Sequence, residues 1–136
     1  MTTFNYCKVR KVKSPVRGTS VAAGIDFFIP EDISDVDWSE KCKVTKRHPI
    51  TMFNDDHILT TIILAPGDSV MIPSGIKMKL PDGYAMIMMN KSGVGAKRQL
   101  DTLACVIDQD YEGEVHLNLV NAGCDTQILQ AGEKIV

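Results

Sequence analysis

Three Pro/Gly punctuations constrain this chain more than any other feature. Pro66-Gly67-Asp68, Pro73-Ser74-Gly75 and Pro81-Asp82-Gly83 follow one another at short intervals. Each combines residues that favour turns: proline presets φ, glycine accepts positive φ, and aspartate bonds nearby backbone. Breaks this close leave room for strands. Ser69-Val70-Met71-Ile72 reads as one strand, and Ile76-Lys77-Met78-Lys79-Leu80 alternates with period two, as a half-exposed strand does. Tyr84-Ala85-Met86-Ile87-Met88-Met89 is apolar throughout, which predicts a strand buried on both faces with methionines filling the core. Short strands between Pro/Gly turns, with no convincing helix, predict an all-β sandwich or barrel.

Composition narrows the class. The 136 residues suit one domain, and 44% apolar with 24% charged residues is a globular composition. A net charge of −2 argues against a protein that coats nucleic acid. No apolar run approaches the length of a membrane span, and Met1-Thr2-Thr3-Phe4 opens no signal-peptide core. Cys7, Cys42, Cys105 and Cys124 form no CxxC pair, so buried, reduced thiols and a cytoplasmic location are expected. Tyr6-Cys7-Lys8-Val9-Arg10-Lys11-Val12 reads as a charged strand near a sheet edge.

Three stretches carry chemistry. In Val106-Ile107-Asp108-Gln109-Asp110-Tyr111-Glu112-Gly113-Glu114-Val115, two apolar residues deliver a carboxylate to a polar turn ending at Gly113. Alternation resumes in Val115-His116-Leu117-Asn118-Leu119, so a β-hairpin is predicted with Asp108 at its lip and Tyr111 in its turn. A carboxylate there can polarise a water, and the aromatic can carry a flat ligand; taken alone, the stretch better suits an ordinary acidic turn. Asn90-Lys91-Ser92-Gly93-Val94-Gly95-Ala96-Lys97-Arg98 follows the apolar strand with two glycines, a hydroxyl and three cations. Backbone N–H groups in such a loop can cradle phosphate oxygens, with Lys91, Lys97 and Arg98 supplying charge, although no GxxxxGK[ST] is present. Val21-Ala22-Ala23-Gly24-Ile25-Asp26-Phe27 sets Asp26 between apolar neighbours, where an unpartnered acid is costly. Either it accepts backbone or arginine hydrogen bonds as structural glue, or it acts near a metal-bound anion.

Residues 31–61 differ in composition and read as a surface insertion. An acidic start is followed by Lys41, Lys43, Lys46, Arg47 and His48; Ser34 suits the cap of a helical turn. Ile50-Thr51-Met52-Phe53 and Ile58-Leu59-Thr60-Thr61-Ile62 are expected to pair around Asn54-Asp55-Asp56. His48 and His57 lack metal-ligand spacing and are expected on the solvated surface.

Taken together, the stretches resemble the trimeric dUTP diphosphatase (dUTPase) family. Val21-Ala22-Ala23-Gly24-Ile25-Asp26 resembles its first motif and Lys91-Ser92-Gly93-Val94-Gly95 its second. The stretch from Val106 to Val115 resembles the third, and Gly132-Glu133-Lys134-Ile135 the start of the fourth. The motifs stand in the family's order, and the likeness covers nearly the whole chain outside residues 31–61.

The resemblance implies a jelly-roll-like β-barrel that forms a homotrimer with active sites shared between subunits. It implies Mg²⁺-assisted hydrolysis of dUTP to dUMP and pyrophosphate by water attack on the α-phosphorus. Asp108 would activate that water, and Tyr111 would pack under the deoxyribose. Lys91, Ser92 and Gly93 would bind phosphates, Asp26 would face the metal through water, and Val106 and Ile107 would present backbone to uracil. The chain departs from the family pattern at Lys91, where arginine is usual, at Cys105, where glycine is usual, and at Thr102, where an asparagine usually helps to hold uracil. These departures bear on base specificity more than on the reaction. A noncatalytic nucleotide-binding or regulatory trimer and a dCTP-deaminase-like enzyme are the alternative readings. Family members continue past the fourth motif with a glutamine and a glycine-rich arm, so the sequence ending at Val136 is expected to be part of a longer protein.

Overall fold

The computed structural model describes residues 3–34, 50–56 and 58–136. The strands are β1 (Asn5–Lys8), β2 (Ile50–Phe53), β3 (Leu59–Leu64), β4 (Ser69–Lys79), β5 (Met86–Ile87), β6 (Leu100–Thr102), β7 (Val106–Ile107), β8 (Glu114–Asn121) and β9 (Gln127–Gln130), with one short helix, α1 (Ser92–Arg98). Among the described residues they form a four-stranded sheet in the order β1-β4-β8-β6, a three-stranded sheet β2-β3-β9 and a two-stranded ribbon β5-β7. The architecture is thus β-rich, as the turn spacing requires. His48 and His57, Cys42 and the helical turn expected after Ser34 lie outside the described residues.

Alternation decides which faces meet. Val115, Leu117 and Leu119 of β8 are buried, while Glu114, His116 and Asn118 lie on the opposite face. Leu117 sits opposite Ile72 and Leu119 opposite Val70 across the β4–β8 ladder. Leu59, Ile62 and Leu64 of β3 and Leu129 of β9 join the same core. Truncating such a side chain, as in Leu117→Ala, costs about 2–5 kcal/mol through lost transfer energy and the cavity left behind. The buried Asn121 is satisfied: its amide donates to the carbonyls of Leu64 (3.0 Å) and Asp125 (2.9 Å).

The structure corrects several sequence expectations. Pro73-Ser74-Gly75 is not a turn between two strands; β4 runs through it, with the register slipping between Pro73 and Lys77. Gly75 absorbs the irregularity at φ +76°, and a Cβ there would lie 2.8 Å from Val12 Cγ1. Residues 84–89 are not a strand buried on both faces: only Met86–Ile87 is strand, and Tyr84, Ile87 and Met89 are exposed. The glycine loop after Asn90 winds into α1. The thiols expected to be buried are not; Cys7 and Cys124 are exposed and Cys105 is half-buried, all unpaired. The charged first strand does lie at an edge, pairing with β4.

Within residues 31–61, β2 and β3 pair as expected around a turn whose Asn54 Oδ1 accepts from the N–H groups of Asp56 (3.0 Å) and Ile58 (2.9 Å). Ile33 and Leu59 are buried, so both ends of the stretch contribute to the core. The Ser34 hydroxyl accepts from the Leu59 N–H at 2.7 Å and joins the two ends.

Candidate active site

The segment expected as a hairpin passes between sheets. β7 pairs with β5, placing Ile107 opposite Met86 and Val106 opposite Ile87. β8 pairs with β4 on one side and β6 on the other. With both edges of β8 taken, β7 has no place beside it, so residues 108–113 cross from the ribbon to the four-stranded sheet. The turn closes with the Tyr111 N–H donating to the Asp108 carbonyl at 3.2 Å. Its Tyr111 hydroxyl donates to the Glu114 carbonyl at 2.8 Å. The ring lies over Gly113, where a Cβ would stand 2.5 Å from Tyr111 Cζ. A side chain at that position would push the ring aside.

The turn overhangs an open cavity of about 390 Å³. Asp108, Tyr111, Val106 and Ile107 line it, as four of the expected site residues. Met71, Asp110 and His116 also line it and were not anticipated. His116 carried a faint signal, since alternation along β8 puts it on the face opposite the core. Met71 carried none, because its place depends on the β4–β8 register. Thr102 is not among the lining residues; its N–H donates to Asn90 Oδ1 (3.0 Å) and Asp101 Oδ1 (2.7 Å).

The remaining expected residues form a second centre. Asp26 is bridged to Val16, its N–H donating to the Val16 carbonyl at 2.7 Å. Lys91 Nζ lies 3.2 Å from Asp26 Oδ1, and Lys134 Nζ lies 3.0 Å from Oδ2. Asp26 therefore finds its side-chain partners in two lysines, where the reading as structural glue offers backbone or arginine donors. Burial alone would raise this carboxyl, but the hydrogen bonds and charges of Lys134 and Lys91 outweigh it and hold it below its usual value. Ser92 and Gly93 open α1 beside Lys91, ahead of the first helical donors, Val94 and Gly95, which both bond the Lys91 carbonyl. Arg98, expected to supply charge to a phosphate, is committed elsewhere. It donates to Gln127 Oε1 (3.0 Å), to the Ile128 carbonyl (2.6 Å) and to Glu133 Oε1, pinning α1 to β9 and to the segment that carries Lys134.

Asp26, Lys91, Ser92 and Gly93 are absent from the cavity's lining. The chain holds its expected groups in two places.

This β-rich scaffold is shared with solved dUTPases. A dUTPase from phage phi11 of S. aureus matches with a TM-score of 0.71 at 18% identity, over 98% of this chain and 86% of that one; its coordination of a structural Mg(II) ion is known. A dUTPase from Streptococcus mutans matches with a TM-score of 0.64 at 21% identity, over 96% and 88%. Sequence comparison makes the assignment: the dUTPase family model matches residues 56–136, more than half of the chain, and the chain belongs to the dUTPase family. Among curated relatives, the deoxyuridine 5'-triphosphate nucleotidohydrolase of Shigella sonnei is 39% identical over 75 residues, covering 53% of this chain and 50% of the relative. That of Chlamydia caviae is 38% identical over 81 residues, covering 58% and 55%. The chain spans about half the length of these relatives.

Proposed function

We propose that the protein hydrolyses dUTP to dUMP and pyrophosphate as a cytoplasmic homotrimer. The observation that carries this reading is the convergence of Asp108 and Tyr111 with Val106 and Ile107 on one open cavity. Family membership supplies the substrate class.

In this reading the Asp108 carboxylate takes a proton from the water that attacks the α-phosphorus, and the bond to the departing pyrophosphate breaks. The Tyr111 ring, fixed over Gly113, packs under the sugar and leaves no space for a 2′-hydroxyl. The backbone of Val106 and Ile107 meets the uracil edge. Lys91 and the N–H groups of Ser92 and Gly93 bind phosphate oxygens; a lysine offers a point charge rather than the two-pronged contact of arginine. The separation of this phosphate-binding group from the cavity supports a site completed by a neighbouring subunit.

Among the described residues, no three His, Cys, Asp or Glu side chains converge to cage a metal. Both Asp26 oxygens already face ammonium groups. That donor set fits Mg²⁺ carried on the nucleotide's own oxygens and waters, with Asp26 facing it through water. Bound there, the ion would neutralise phosphate charge during the displacement.

The test is pyrophosphate release across a panel of deoxynucleoside triphosphates with and without Mg²⁺. Release from dUTP above the others is expected. Ammonia release from dCTP, or nucleotide binding without turnover, would overturn the reading.

A further inference from the structure

Residues 108–113 cross between sheets with no ladder of their own, so strand pairing does not fix them. Two polar anchors do. At the leading edge, Gln109 Oε1 accepts from the Gly83 N–H at 2.8 Å while its Nε2 donates to Asp82 Oδ1 at 2.8 Å. At the trailing edge, Glu114 Oε1 accepts from the Gly75 N–H at 2.6 Å and from Arg10 Nε at 2.9 Å. The glycines reached, Gly75 and Gly83, have φ of +76° and +81° and bracket the run through Lys79. Tyr111 donates its hydroxyl to the carbonyl of the same Glu114 whose side chain is pinned.

We infer that Glu114, backed by Arg10, and Gln109 are positioning residues with separate duties. Glu114 opens β8 opposite Lys77, just where the register with β4 slips. Its side chain steadies there the carbonyl on which Tyr111 docks and so sets discrimination at the sugar. Gln109 fixes the backbone next to Asp108 and so sets turnover. The Glu114 anchor is the stronger, because a half-buried carboxylate takes a charged donor and a backbone N–H together. Gln109 is a neutral amide in contact with solvent, where water competes for the same bonds.

The kinetic side of this inference rests on the proposed dUTP hydrolysis, so the test pairs kinetics with a readout that needs no activity. Glu114→Ala, Glu114→Gln, Arg10→Ala and Gln109→Ala are assayed for pyrophosphate release from dUTP and UTP, and for amide hydrogen exchange over residues 108–113. Glu114→Ala should lower the dUTP-over-UTP ratio of kcat/KM roughly tenfold, with Arg10→Ala and Glu114→Gln shifted less in the same direction. Gln109→Ala should lower kcat on dUTP by roughly tenfold and leave that ratio intact. Exchange at the Tyr111 amide should quicken in each variant. If Glu114→Ala fails to fold, Glu114→Gln and Arg10→Ala carry the test. A lower melting temperature with selectivity, kcat and exchange all unchanged would reduce the anchors to general stabilisers and overturn the inference. Should the wild type release no pyrophosphate from dUTP, the functional reading falls and exchange alone decides: faster exchange sustains the anchors, unchanged exchange overturns them.

Discussion

The turn at residues 108–113 and the Asp26–Lys91–Lys134 cluster are built on opposite plans. The turn is local: its carboxylate, its tyrosine and the glycine beneath the ring lie within six residues of sequence. The cluster is distant: Asp26 meets Lys91 across 65 positions, with Lys134 arriving from the C-terminal segment. Inside the turn the bonds are neutral, from the Tyr111 N–H and hydroxyl to the Asp108 and Glu114 carbonyls, whereas the cluster is held by charge. One is open to a cavity, whereas in the other Asp26 is 17% exposed and its charge is answered twice. The difference shows how a small β protein divides its labour. The turn's geometry is written locally, while the cluster's charges are gathered from afar.

The sharpest way to break the comparison is at the turn. Asp108→Asn keeps shape and removes the base, so turnover should fall by roughly 10²–10⁴-fold with nucleotide binding retained in a titration. Wild-type turnover would remove Asp108 from the chemistry. Next comes a test of whether the two regions serve one site across subunits. Lys91→Ala should be impaired by itself, yet refolding it together with Asp108→Asn should restore activity roughly tenfold above either variant alone. Light scattering of the same samples should give about three times the 15.0 kDa chain mass. Tyr111→Ala should then narrow the preference for dUTP over UTP by roughly tenfold, measured as a ratio of kcat/KM.

The smallest effect belongs to the cluster, and its signature is pH. The folded-state pKa of Asp26 is depressed below its ordinary value of 3.8. The stabilisation from its lysines is therefore full above that value and lost as pH falls through the lowered folded-state pKa. Asp26→Asn should cost about 1 kcal/mol in urea unfolding at neutral pH, a modest figure because the lysines are partly solvated. The gap between variant and wild type should close in acid. A gap independent of pH would mean that Asp26 acts through packing and its bridge to Val16, not through charge.

How much of this could be read from the chain depended on the range of the interaction concerned. The alternation of β8, the β-rich class and the pairing of β2 with β3 follow from side-chain periodicity and turn chemistry, which act over a few residues. Asp108 and Tyr111 were legible for the same reason, since a polar turn ending at Gly113 is a local signal. The slip at Pro73-Ser74-Gly75 was not legible. Proline and glycine announce a change of direction, and only the seat of Gly75 between Val12, Glu114 and the β4–β8 ladder turns that change into a bulge. Likewise Asp26 declared the need for a partner but not its identity. Arg98 looked like Lys91 in sequence, yet it faces Gln127 and Glu133 and is spoken for. The sequence by itself determined the alternation of β8, the pairing of β2 with β3 and the polar turn that carries Asp108 and Tyr111, because those rest on backbone preferences and near neighbours. The tertiary structure alone decided which strand took which edge, which cations answered Asp26 and what anchored the turn, because those contacts join residues whose proximity exists only after the sheets have assembled.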